Sequence, residues 1–142
     1  MQIPTNQRLL RLSESGLTVD DPHQDVRHRK VIDNAGEDVG TIQDLFIDEH
    51  ERKVRFLLVA SGGFLGLGRD HILIPIDAVT RVEGDRVHID QNRDRLAEAP
   101  VYNPDLAEEH FDAHFADVYG FYGVNPYWGP GYVYPVGPWG VP

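Results

Sequence analysis

Cysteine is absent from this chain. That excludes disulfide staples, thiolate metal sites and a cysteine nucleophile, and it points to a reducing, cytoplasmic compartment. No apolar run approaches the ~18 residues that a membrane-crossing helix needs. Nothing at Met1 resembles a charged-then-apolar leader, so the expectation is that no secretory signal is present. Serine is scarce, and Ser13, Ser15 and Ser61 show no nucleophile-elbow context, none having a glycine two residues before it. Basic charge is also short: 13 Lys and Arg stand against 23 Asp and Glu, for a formal charge of −10. Nucleic-acid binders draw affinity from neutralising phosphates, so this balance argues against that class.

What remains is a chain of 142 residues, 41% hydrophobic and 25% charged, enough for one core. Charge divides it unevenly. Residues 1–23 form a short N-terminal lead, and residues 24–95 are near balance, with eleven basic and fourteen acidic groups. Residues 96–118 are acidic. Residues 119–142 carry no charge and are rich in Gly, Pro and aromatic rings.

The balanced zone reads as β. Lys30–Asp33 leads into the turn Asn34-Ala35-Gly36-Glu37, and Val39–Asp48 follows. Lys53–Ala60 alternates and then turns apolar on both faces. His71–Ile76 ends at or beside Pro75, which cannot donate to a ladder. Val79–Glu83 and Arg86–Asp90 flank Gly84-Asp85 as a tight hairpin. Six short strands predict a small six-stranded antiparallel β-barrel. Its core is expected from Val39, Ile42, Leu45, Ile47, Val54, Phe56, Leu58, Ile72, Ile74, Val87 and Ile89.

Beyond the strands, Asn103-Pro104-Asp105 has the chemistry of a helix start. Leu106, Ala107, His110, Phe111, His114, Phe115 and Val118 recur at helical spacing, so an amphipathic helix is expected to end near Gly120. The final 25 residues hold eight of the fourteen aromatics among six Gly and five Pro. Such a tail resists regular structure. It is expected to be separable from folding and to serve association.

Several stretches together resemble the PRC-barrel domain. They are Asp25-Val26-Arg27, Val31–Gly36, Val39–Asp48, Val54–Ala60, the loop Gly62–Gly68 and Ile74–Val79. The resemblance covers about Asp25 to Asp90, with His28 standing where the family usually has Gly. It implies a small β-barrel with a binding or assembly role, and no catalytic residues to carry over. The family includes the cytoplasmic domain of the photosynthetic reaction centre H subunit, the C-terminal part of a ribosome maturation factor, and many stand-alone bacterial proteins. This sequence has neither the membrane helix of the first nor the preceding domain of the second.

Three constellations invite chemistry. The glycine loop Gly62–Gly68 precedes a strand rather than a helix, so it reads as a hairpin and not a phosphate cradle. His110 and His114 lie four apart, a zinc-compatible spacing, but no third ligand is evident and packing is expected. Asp44 and Asp48 are expected to be solvated turn carboxylates. The resulting expectation is a non-enzymatic module without metal or cofactor. It would contact a protein partner or itself through Phe64, Leu65, Tyr122, Tyr127, Trp128, Tyr132, Tyr134 and Trp139. The alternatives are a peripheral subunit of a membrane electron-transfer complex and an RNA- or ribosome-associated factor.

Overall fold

The computed structural model describes residues 9–19, 22–61, 71–102 and 111–135. The fold is mainly β with few helices. Among the described residues seven strands make one sheet: β1 (Leu9–Arg11), β2 (Lys30–Ile32), β3 (Asp38–Asp48), β4 (Val54–Ser61), β5 (His71–Pro75), β6 (Val79–Glu83) and β7 (Arg86–Ile89). Six follow the order β5-β4-β3-β2-β7-β6, and β1 adds to the far end of β3. The six bend into a half-barrel. Short helices α1 (Leu12–Ser15) and α2 (Arg93–Leu96) flank the sheet, and α3 (Phe111–Tyr122) follows it.

The sheet is mixed, which corrects the all-antiparallel expectation. β2 and β7 pair in parallel, with Val31 opposite Val87. The reason lies after Pro75. The 3-10 turn Ile76–Ala78 carries the chain from one sheet edge to the other without reversing it. β5 and β6 therefore run the same way, and the Gly84-Asp85 hairpin returns β7 alongside β2. β1 was not foreseen, because three residues give too short a pattern to detect.

The expected core residues are all buried. β4 supplies the centre: Val54 through Val59 are buried without a break, as a strand covered on both faces should be. β3 bends around β4 with register shifts at Ile42/Asp44 and Phe46/Ile47. The close pairing needs Gly40 (φ 149°), where a Cβ would strike the Ala60 carbonyl. His28 holds a left-handed φ of 75°. The backbone thus keeps a glycine-type conformation although the residue is histidine, while the His28 N–H donates to the Ile42 carbonyl at 2.8 Å.

α3 packs on this sheet. Phe115 contacts Phe46 (5.5 Å between ring centroids) and stacks on Phe56 (5.1 Å), and Tyr119 lies 4.8 Å from Phe56. The helix continues past the expected end at Gly120 to Tyr122, because Phe115, Val118, Tyr119 and Tyr122 form one buried stripe. The expected start at Asn103-Pro104-Asp105 lies outside the described residues.

Candidate functional site: an aromatic strap over a buried arginine

Arg55 sits in the middle of an apolar strand, and its side chain is only 3% exposed. A guanidinium there needs counter-charge and donor partners. Asp48, at the end of β3, supplies the first: Arg55 Nε donates to Asp48 Oδ2 at 2.8 Å, and Asp48 is itself 1% exposed. Glu51, in the β3–β4 turn, accepts from Arg55 Nη2 at 2.8 Å. The turn is tied to the same carboxylate, since the Glu51 N–H donates to Asp48 Oδ1. Burial works against the charged guanidinium, but Asp48 outweighs it and holds the Arg55 pKa above its ordinary value.

The rest of the enclosure comes from far along the chain. α3 stops at Gly123 (φ 70°), which takes the left-handed C-terminal position. Three prolines, Pro126, Pro130 and Pro135, keep residues 124–135 from resuming a helix. This segment, the strap, folds back over the β3–β4 end. The Tyr127 ring lies 4.3 Å from the Arg55 guanidinium carbon, Tyr134 lies at 5.1 Å and Tyr132 at 5.8 Å. Such faces attract a cation through the ring quadrupole, more so away from water. Tyr134 Oη donates to the Val54 carbonyl at 2.9 Å, and Lys53 Nζ lies 5.0 Å over the same ring.

Behind the strap is a set of buried polar atoms without hydrogen-bond partners among the described residues. They are Asp77 Oδ1, Tyr119 Oη, Trp128 Nε1 and Tyr132 Oη. Asp77 belongs to the turn that links β5 to β6. Burial raises its carboxyl pKa, partly offset by the nearby Tyr132 hydroxyl and the Arg55 charge. Burial likewise pushes the Tyr119, Tyr127 and Tyr132 phenols up, so all three stay neutral. Trp128 meets Tyr119 and Tyr127 edge-on at 5.6 and 5.1 Å.

Several expectations are corrected here. Tyr122 and Tyr127 are buried in the core rather than offered as contact residues. Trp128, Tyr132 and Tyr134 are half-buried, packed against the chain's own barrel. The reason is that the barrel end presents a buried cation for them to cover. Val133, between two of these tyrosines, is 80% exposed. Phe64, Leu65 and Trp139 lie outside the described residues.

Asp44 and Asp48 are not solvated, each being 1% exposed. Asp44 accepts from the Leu45 N–H at 2.8 Å, from Arg11 Nε at 3.0 Å and from Ser13 through both its N–H and its hydroxyl. Burial would raise the Asp44 pKa, but these donors together lower it. His110 is outside the described residues. His114 packs between Tyr102 and Phe115, its Nε2 buried without a hydrogen-bond partner among the described residues, and burial lowers its pKa. Among the described residues no three His, Asp or Glu side chains are placed to hold a metal ion. None of the described helices is long and apolar enough to cross a membrane.

Arg55, Asp48, Glu51, Asp77 and Tyr119 were missed as a set. One signal was available: an arginine inside the otherwise apolar run Val54–Ala60, in a chain whose uncharged end holds tyrosines to cover it.

The family model of the PRC-barrel domain matches residues 22–96, from the turn before β2 to the end of α2. No curated protein matches the chain. The matched region contains Asp48, Glu51, Arg55 and Asp77, whereas α3 and the strap lie beyond it.

Proposed function

The chain belongs to the PRC-barrel domain family, and from that premise we propose that it is a non-enzymatic binding and assembly module whose strap makes protein–protein contacts. The observation that carries this reading is the form of the strap. Arg55 and the barrel hold it in one shape, yet it presents Val133 at 80% exposure beside the half-buried rings of Trp128, Tyr132 and Tyr134. Aromatic side chains already fixed by their neighbours lose little freedom on binding, which favours them as anchors. The barrel is the scaffold. Asp44 and Asp48 are consumed in holding it together, and this supports a structural rather than a catalytic use of its carboxylates. The protein acts in the cytoplasm.

Val133→Asp tests this. The side chain is exposed, so the fold should be unchanged. Native chain recovered from its own cells should carry a partner, or self-associate in the ultracentrifuge, and Val133→Asp should weaken that association at least tenfold. Unchanged association would overturn the assignment of the strap. Recovery of the native chain with a membrane electron-transfer complex, or with ribosomal particles, would instead favour one of the two alternative roles.

A further inference from the structure

A half-barrel has two edge strands, here β5 and β6, and the chain treats them differently. β5 is capped: Ile72 bridges to Val101, and the Tyr102 N–H donates to the His71 carbonyl at 2.9 Å. Among the described residues β6 pairs with β7 alone. The two-residue turn Gly84-Asp85 makes Glu83 and Arg86 the closing hydrogen-bonded pair, so Val82 and Val87 form the next, non-hydrogen-bonded pair. The same alternation appears on β7, where the Asp85 carbonyl turns to β2 and accepts from the Lys30 N–H at 2.9 Å. The N–H and C=O of Val82 therefore point out of the sheet, and among the described residues nothing pairs with them. The hairpin tip is open as well, since a Cβ on Gly84 would meet nothing within 4 Å.

Side chains alternate along this edge. Val82 packs toward the core beside Val87, whereas Arg81 and Glu83 share the solvent face at 50% and 60% exposure, their own contact a loose 3.7 Å. Charges on an edge strand commonly repel an incoming strand. Against a second copy of β6 they do the reverse. Two β6 strands laid antiparallel with Val82 opposite Val82 set Arg81 of each chain against Glu83 of the other, on one face. The Val82 pair is then the doubly hydrogen-bonded kind, because both backbones already point outward. A slip of two residues either way sets Arg81 against Arg81 or Glu83 against Glu83, so the charges also fix the register.

We propose that β6 is a self-pairing edge: two copies of the chain join their sheets antiparallel at Val82, with an Arg81–Glu83 pair on each side of the twofold axis. The strip is short, and interfaces below ~1,200 Å² give weak association. The −10 charge of each chain also opposes a second copy. The dimer is therefore concentration-dependent. It uses no residue of the strap, so it stands apart from the partner contact assigned there.

Sedimentation equilibrium of the purified full chain, at concentrations up to about 1 mM to suit a contact of this size, should show monomer and dimer. Val133→Asp, on the strap, should leave that equilibrium within twofold. Val82→Pro removes an N–H that the β6–β7 ladder does not use, so circular dichroism should be kept while the association constant falls at least tenfold. Arg81→Glu and Glu83→Arg should each weaken the dimer at least tenfold alone. Mixed together, the two variants should pair again, because every charge facing its counterpart across the axis is then opposite in sign. That mixture keeps the test standing if Val82→Pro does not fold. A chain monomeric at every concentration would overturn the proposal. So would a dimer lost in Val133→Asp, a dimer kept in folded Val82→Pro, or a mixture that stays monomeric.

Discussion

At the scale of single residues, Arg55 and His28 make opposite contributions. Arg55 satisfies Asp48 inside the fold, so Arg55→Ala strands a carboxylate that is 1% exposed. Breaking a buried pair from one side costs about 3–5 kcal/mol, and urea unfolding should show a loss of that size. His28 spends energy instead. A left-handed backbone costs a non-glycine residue about 1–2 kcal/mol, while glycine adds roughly 0.5–1 kcal/mol of unfolded-chain entropy. His28→Gly should therefore stabilise the protein by up to about 1 kcal/mol, visible as a higher midpoint at unchanged slope. The strands around these residues were legible because an apolar alternation of period two needs only local sequence. Burial of Arg55 was not, since its enclosure is completed by Tyr127, Tyr132 and Tyr134, more than seventy positions away.

At the scale of elements, α3 and the strap act as one unit with the barrel. Phe115 stacks on Phe56 and Tyr119 lies tilted against the same ring, and the helix stops one residue before the strap begins. The sequence suggested a boundary near Val118, where charge disappears. Burial ignores that boundary, because the helical stripe runs on through Tyr119 and Tyr122. Composition registers charge, whereas docking depends on which face carries the apolar groups. A chain ending at Val118 should lose more than about 3 kcal/mol, the scale of removing a single buried aromatic side chain. The check is calorimetry of the shortened chain beside the full one. A melting temperature unchanged by the cut would return the strap to the status of an appendage.

At the scale of the whole molecule, acid acts on several groups of the same sign. Asp25 is held below its ordinary pKa first by the Arg27 side chain. For Asp33, burial raises the pKa, but backbone N–H groups of Glu37, Arg93 and Ala35 lower it further. Asp44 behaves likewise with Ser13 and Leu45. These carboxylates contribute stability that is present above 3.8 and lost as pH falls through their lower folded-state values. His114 adds an earlier loss, beginning as pH falls below 6.5, because only the unfolded chain then takes up its proton readily. Melting temperatures should thus fall in two stages between pH 7 and pH 3, and His114→Gln should remove the first.

The parallel ladder between β2 and β7 sets an order of events. β3, β4 and β5 pair with chain neighbours, and so do β6 and β7, whereas Val31 must find Val87 across almost the whole barrel. Closing so long a loop is unfavourable until the pieces it joins exist. The meander around β4 should then be the folding nucleus, and the β2–β7 seam its last stitch. Leu57→Ala should slow refolding, whereas Val31→Ala should leave refolding nearly unchanged and speed unfolding. Stopped-flow measurements in denaturant would read the two limbs separately. A Val31→Ala change seen mainly in the refolding rate would mean that the seam forms first.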